Sequence, residues 1–490
     1  MSKRLILVLA FVLLAGLTCA AYAEVQNVKV SGDITETGII RDHLNLRDNV
    51  VGGTTGTSSL QGTGFGENVN AILSQIRVRV DADLTDNVST SVRLINERVW
   101  GRAGQNDNIN EGQDSSIDLD LAYATLKEFL YSPLTLTVGR QELRYGNALV
   151  IGNVSTNQFG IGHGTTNRVL PDSIDDLSLR KSFDAVKATL NYDPLVIDVV
   201  GAKIFKGDVA QNNDTNLYGV NASYALRKDI NLEGYWWQRN RKSDENGTIT
   251  AAGVANLVDM DKRERLNVVG ARAVITRIAG LTLQGEAAYQ FGDHLLDSTL
   301  YPNEASAALG LDARRKVQAW AIQGMASYAL PVAKKYVPMV SGSYTYLSGD
   351  KYLNSGRTVH GWDPMFEDQN GGTIFNKIFK ATNYQLINGG VSMKPMDDLK
   401  LSLDAYYLLL NRKYTDPATG IYLSGNVNDP TYKMTSKRAL GLEWQAGLTY
   451  DYTEDVQFGL TGGIFMPGAA FSSDNRDAAK QVMGSMKVTF

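Results

Sequence analysis

The sequence predicts an all-β fold: a transmembrane antiparallel up-and-down β-barrel of about 18 strands, with short periplasmic turns and long extracellular loops. Three observations carry this. The last ten residues put Val482, Met486, Val488 and Phe490 on one face and Gln481, Ser485, Lys487 and Thr489 on the other, as a strand between lipid and a wet lumen requires. Runs of the same alternation, or of β-branched and aromatic residues, recur between turn signals along the chain. Although 43% of residues are apolar or aromatic, no stretch reaches the roughly 20 consecutive apolar residues of a spanning helix.

The chain opens with Lys3 and Arg4, runs apolar from Leu5 to about Leu17, and offers Ala21-Tyr22-Ala23 as a signal-peptidase site. Residues 1–23 are therefore read as a signal peptide and 24–490 as a single barrel domain, located in the bacterial outer membrane. The only cysteine, Cys19, falls in that leader, so no disulfide is expected in the mature chain. The formal net charge of −4, made two charges more negative by loss of Lys3 and Arg4, is too mild to name a partner. It argues against nucleic-acid binding.

The first strand is read near 27 to 45 and the second near 70 to 84, where Ile76, Val78, Val80 and Leu84 oppose Arg77, Arg79, Asp81 and Asp83. The third, near 87 to 101, follows the Thr85-Asp86 turn and carries Arg93 and Glu97; the fourth, near 116 to 129, carries Asp118 and Asp120. The fifth lies near 134 to 147. The sixth, near 182 to 193, aligns Val186, Ala188, Leu190 and Tyr192, and Asp193-Pro194 separates it from the seventh, near 195 to 208. Lys228-Asp229 joins the eighth, near 216 to 226, to the ninth, near 230 to 243. The tenth is placed near 265 to 276. The eleventh, near 281 to 293, sets Leu281, Leu283, Ala287, Tyr289 and Phe291 against Thr282, Gln284, Glu286 and Gln290. The twelfth and thirteenth follow near 316 to 330 and 336 to 350, and the fourteenth and fifteenth, near 381 to 396 and 399 to 412, flank Asp397-Asp398. The sixteenth, near 439 to 453, aligns Leu440, Leu442, Trp444, Leu448 and Tyr450; Glu454-Asp455 leads to the seventeenth, near 456 to 468, and the last spans 478 to 490. An even count with alternating short and long spacers puts both termini in the periplasm. Tyr224, Tyr289, Tyr328, Tyr407 and Tyr450, near strand ends on the apolar face, suit the headgroup level.

If the polar faces point inward, Arg77, Arg79, Arg93, Arg140, Lys187, Arg239, Arg241 and Arg272 are candidate pore-lining cations, with Asp81, Asp118, Asp120 and Glu286 among the carboxylates. Two readings stay open. Inward Arg and Asp can pair across strands and keep the wall hydrated and rigid; or cationic side chains in a narrow, low-dielectric passage can form a ladder that favours anions. A barrel this wide needs a folded-in loop to narrow it; Ala148 to Lys181 is the longest candidate, and the others are Leu46 to Val69, Asp244 to Glu264, His294 to Arg315, Lys351 to Lys380 and Lys413 to Lys437.

Catalytic and metal chemistry is not expected. His43, His163, His294 and His360 lack metal-ligand spacing and stand near no recognisable nucleophile setting. Gly62-Thr63-Gly64-Phe65-Gly66 precedes no helix pattern, and Asp259-Met260-Asp261 and Asp368-Gln369-Asn370-Gly371 lack the full calcium ligand series. No cofactor is implied; calcium in these loops is the alternative.

Around Gly139-Arg140-Gln141-Glu142, Tyr145-Gly146 and Ser182-Phe183-Asp184-Ala185-Val186, the chain resembles the bacterial alginate-export outer-membrane porin family. The resemblance implies a monomeric 18-strand channel whose arginine-rich lumen passes a polyuronate outward. On that reading Gly139 makes a bulge that turns Arg140 from the lipid face into the lumen, since an arginine facing lipid costs up to about 2–4 kcal/mol at mid-depth. The many inward acidic residues depart from the family pattern and bear on the cargo. The expected function is an outer-membrane channel passing a hydrophilic, anionic solute or polysaccharide by passive diffusion. The alternative is a general or nutrient-uptake porin with little discrimination. Expected partners are outer-membrane lipid, the barrel-assembly machinery through the strand ending at Phe490, and the solute; the chain is expected to be a monomer, neither an enzyme nor a nucleic-acid binder.

Overall fold

The computed structural model describes residues 27–47, 68–101, 117–156, 170, 173–206, 214–242, 263–295, 314–350, 358–369, 371–414, 421–423 and 431–490. The leader, His163, Gly62 to Gly66, Asp259 to Asp261 and Asn370 lie outside them.

The alternating segments form a closed wall of long strands: β1 (Asn27–Asp42), β2 (Asn68–Thr85), β3 (Val88–Val99), β4 (Asp118–Leu126), β5 (Leu134–Gln141), β6 (Phe183–Asn191), β7 (Leu195–Phe205), β8 (Thr215–Arg227), β9 (Ile230–Lys242), β10 (Arg263–Ile275), β11 (Leu281–Leu295), β12 (Arg314–Ala329), β13 (Met339–Leu347), β14 (Tyr384–Met396), β15 (Leu399–Leu410), β16 (Ala439–Asp451), β17 (Val456–Pro467) and β18 (Ala479–Thr489). Each pairs antiparallel with its sequence neighbour, and β1 closes the wall on β18 from Asp33↔Thr489 to Asp42↔Lys480. Among the described residues three further strands have two residues each: Thr358–Val359 runs parallel beside the upper end of β12, and Ile421–Tyr422 and Thr431–Tyr432 pair antiparallel with each other. At the seam Gly32 and Phe490 exchange backbone bonds of 2.8 and 3.0 Å. A Cβ on Gly32 would stand 2.6 Å from the Phe490 ring, so only glycine leaves the terminal aromatic its seat.

The period of 2 sorts each strand between lipid and lumen as expected. Val78, Val80, Val186, Trp320, Leu403, Trp444 and Phe458 face outward, and the short turns at one end oppose the long loops at the other. Among the described residues no helix is long and apolar enough to cross a membrane.

Three expectations are corrected. β5 stops at Gln141 rather than near 147, because Gly146 and Ala148 turn through positive φ (57° and 56°) and take the chain into the lumen. Leu440 does not share the outward face of Leu442 and Trp444: a bulge, seen as a register shift between Leu408 and Leu409, leaves it buried. The bulge expected at Gly139 is absent. The β5 ladder runs unbroken through Val138, Gly139 and Arg140 on both sides, opposite Ala124, Tyr123 and Ala122 on β4 and Val186, Ala185 and Asp184 on β6. Gly139 is needed for close approach instead: at φ 127° a Cβ would lie 2.1 Å from the Ala122 carbonyl oxygen.

Candidate functional site

Two extracellular loops fold into the barrel and lock together. In the loop after β5, Val150 accepts the Phe366 N–H (3.0 Å), and the N–H groups of Gly152 and Asn153 donate back to the Phe366 carbonyl at 2.7 and 2.9 Å. The Asp368 N–H donates to Ala148 O at 2.9 Å, and the Thr156 hydroxyl to Glu367 O at 2.7 Å. Apolar residues drive the insertion. Leu149, Val150, Ile151, Phe366, Phe375 and Phe379 join one buried cluster with the inward-facing Trp237, Leu266, Val268, Leu386, Leu408 and Phe465, each large side chain contributing about 1.5–3 kcal/mol when fully buried. The rings of Phe183 and Phe366 meet at 5.8 Å and those of Phe379 and Phe465 at 5.6 Å.

Polar ties fix the loops to the wall. The fully buried Glu443 of β16 accepts the N–H groups of Ile374 (3.0 Å) and Phe375 (2.7 Å), opening the one-turn helix α1 (Ile374–Ile378). Arg41 of β1 donates to Asp176 (2.7 Å) and to the Ser173 carbonyl (2.5 Å). Lys377 pairs with Asp175, Gly146 N donates to Glu233 at 3.0 Å, and Asn147 donates to Gln323 at 2.7 Å. The lumen is narrowed by two of the candidate loops acting as one body, the longest, 148–181, and the one spanning 351–380, where a single folded-in loop was expected.

The structure places most of the candidate residues inside, in ion pairs. Arg77 donates to Asp33 (2.8 Å), and Arg79 to Asp81 (2.8 Å), which also accepts from Ser91 (2.5 Å). Arg93 bridges Asp120 (2.5 Å) and Glu142. Asp118 is held by Arg180 of the first loop, which also reaches Glu97 at 3.0 Å. Arg239 lies buried between Glu264 and Asp363, both at 2.7 Å, with Arg241 3.4 Å from Glu264. Arg272 meets Glu233 at 3.0 Å and Gln284 at 2.9 Å. Glu286 accepts the Tyr235 hydroxyl at 2.8 Å. Lys187 shares the inward face of β6 with Phe183 and Ala185 and makes no ion pair among the described residues.

Arg140 is the exception and a correction to the sequence reading. With no bulge it keeps the parity of Val138, on the outer wall, where it grips Asp184 at 2.8 and 2.9 Å. The sequence reading missed the loop residues Arg144, Arg180, Lys181, Asp363 and Asp368. The signal that could have found them is apolar runs inside otherwise polar loops, Ala148 to Ile151 and Ile374 to Phe379, which mark segments that fold inward.

Several inward pairs turn their cations to the water. Where Arg144 meets Asp368, the arginine side chain is 54% exposed and the carboxylate 13%; where Arg180 meets Glu97 the figures are 23% and 0%. Arg77 over Asp33 and Arg272 over Glu233 repeat the order, and Lys181 adds a second cation over Asp368. Glu142 and Asp118 run the other way, more exposed than their arginines, as do Asp175 beside Lys377, Asp363 beside Arg239 and Asp176 beside Arg41, while Arg79 and Asp81 are equally exposed. Where the cation is the more exposed partner, a pair that is formally neutral presents its positive end to the passage. Among the described residues no group of three or more His, Cys, Asp or Glu is placed to hold a metal, and Asp368 is occupied by Arg144 and Lys181.

Two loop carboxyls sit in opposite fields. At Asp363 burial acts to raise the pKa, but the Arg239 guanidinium outweighs it and holds the carboxyl well below the usual range. At Glu367 burial, reinforced by neighbouring Asp368, pushes the carboxyl up to about 7 against the Gln369 N–H. A carboxyl raised in the folded state favours that state while protonated, so the loop seat weakens as pH climbs from about 4.5 to about 7 and stays level above. Current noise in bilayer recordings is expected to rise over that window, and Glu367→Gln to remove the pH dependence.

A family model for alginate export matches residues 55–485. The chain belongs to the alginate export family. Its barrel is similar to solved structures at low identity: OccK3 (OpdO) of Pseudomonas aeruginosa, with a TM-score of 0.52 and 10% identity over 95% of this chain and 96% of that one; OccK8 (OprE) of the same organism, 0.52 and 11% over 95% and 98%; and OccAB1 of Acinetobacter baumannii, 0.52 and 10% over 96% and 99%. These likenesses concern the fold. No curated protein matches the chain significantly. Family membership, a closed barrel with an apolar outer wall and a charged lumen describe an outer-membrane channel of the alginate export family; family and fold are those of channels, not enzymes.

Proposed function

We propose that this alginate export family member passes a hydrophilic anion, with acidic polysaccharide of the uronate class as its cargo, by passive diffusion past the interlocked loops. The orientation of one set of ion pairs carries the reading: Arg77, Arg144, Lys181 and Arg272 stand in front of their carboxylates, and Arg180 in front of Glu97. An anion at the passage meets guanidinium and ammonium groups first, while the carboxylates behind limit its affinity so that it can leave. In this proposal the chain is delivered by the leader, is assembled through β18 and Phe490, and works as a monomer without cofactor.

The second reading, a porin of little discrimination, is favoured by the water-facing carboxylates of Glu142 and Asp118. Block of single-channel current separates the two. A uronate oligomer is expected to block at lower concentration than a neutral oligosaccharide of equal length, and Arg144→Gln with Lys181→Gln to raise the blocking concentration by about 3- to 10-fold. Equal block by both oligomers would contradict the proposal.

A further inference from the structure

The outward turn of Arg140 leaves a charged row on a wall that otherwise faces lipid. Arg140 on β5, Asp184 on β6 and Lys203 on β7 are register partners in succession, followed by Asn216 on β8. Arg140 also donates to the Leu119 carbonyl at 3.0 Å. Lys203 and Lys206 both reach Asp214, at 2.7 and 3.1 Å. The group therefore holds three cations against two carboxylates. Its charges stand partly in the open, with side-chain exposure of 41% at Arg140, 38% at Lys203 and 65% at Lys206 against 55% at Asp184 and 15% at Asp214.

What lies beneath decides the partner. The next outward row toward the periplasm is Val138, Val186, Gly201 and Tyr218, with the tyrosine ring against Gly201. Below it come Leu136, Ala188, Val199 and Val220, then Leu134, Leu190, Ile197 and Ala222. A cationic row at the extracellular rim above three apolar rows has the profile of a lipid: anionic head above, acyl chains below. A charge at this level, near the interface, costs about 0–1 kcal/mol rather than the midplane penalty.

We propose that this rim is a docking site for the phosphorylated headgroup of an outer-leaflet lipid, with the phosphate taken by Arg140, Lys203 and Lys206 and the chains laid along the valine and leucine rows. Arg140 is held by Asp184 in a forked pair that fixes the plane of its guanidinium. The two lysines share one carboxylate, which leaves positive charge for a phosphate oxygen.

The test uses the purified barrel in detergent, titrated with a phosphorylated outer-leaflet glycolipid and with the same lipid after phosphatase treatment, binding being read by native mass spectrometry. The phosphorylated lipid is expected to bind about tenfold more tightly or better, and Lys203→Gln with Lys206→Gln to erase that preference. Unchanged conductance shows that the variant barrel is intact, since neither residue faces the pore. Lys203→Arg with Lys206→Arg is expected to keep the preference. Equal binding of the two lipids by the unmodified protein, or a preference that survives in the glutamine variant, would overturn the site. Full displacement of the lipid by inorganic phosphate at equal concentration would also overturn it, by showing that the acyl rows contribute nothing.

Discussion

Replacing residues 362–379 with a short Gly-Ser linker is expected to raise single-channel conductance several-fold and to abolish ion selectivity while leaving the barrel closed. The wall does not depend on this segment. β13 and β14 pair directly from Met339↔Ser392 to Tyr346↔Gln385, and this pairing lies wholly outside the replaced segment. What depends on it is the plug: Phe366 pairs backbone to backbone with the first loop, Asp363 closes on Arg239, Asp368 collects Arg144 and Lys181, and Phe375 and Phe379 fill the cluster beneath. Removing these leaves the first loop held by its ties to the wall at Gly146, Asn147, Asp176 and Arg180, and opens the rest of an 18-strand lumen wide enough for an aqueous channel. A heat-modifiable shift in gel mobility shows that the barrel is closed. Unchanged conductance in a closed barrel would mean that these loops are not the barrier.

Arg239→Ala is expected to cost about 3–5 kcal/mol of stability where the second loop meets β9 and β10, because it leaves two buried carboxylates without their cation. Glu264 is fully buried and Asp363 nearly so, and the Arg239 guanidinium contacts both at 2.7 Å. Arg241 and His294 remain near Glu264 and soften the loss on that side. The direct consequence falls on Asp363, whose carboxyl Arg239 holds well below its ordinary range. The midpoint of thermal unfolding in detergent should drop, and adding Glu264→Gln and Asp363→Asn to Arg239→Ala should recover most of it. A triple variant as unstable as the single one would show that the arginine acts through packing rather than charge.

The wall and the need for an inserted loop were legible in the sequence and the packing of the plug was not, for one physical reason. A strand between lipid and water writes its two faces into alternate residues, so β2 with Val78 and Val80 against Arg77 and Arg79 announces its orientation locally. Most inward candidates therefore point where the alternation put them, and the error at Arg140 came from setting the alternation aside in favour of a bulge that Gly139 does not make. The loops obey no period. Their apolar residues, Leu149 to Ile151 and Ile374 to Phe379, are buried by partners far away in sequence, such as Trp237 and Phe465, and no local signal names those partners. For the same reason the cations over Asp368 were missed: Arg144 and Lys181 meet it only because one loop threads against another. Which end of an ion pair faces the water is likewise a property of packing, and no count of charges along a strand contains it.

The zero-current potential of the bilayer-inserted protein across a salt gradient tests the central claim most directly. If the luminal pairs present their cationic ends to the passage, the potential takes the sign of anion preference. It shrinks as ionic strength rises and screening shortens to about 8 Å near 0.15 M. A potential of the opposite sign, or none at low salt, would contradict the account by showing that Glu142 and Asp118, and not Arg144 and Lys181, set the field an ion meets.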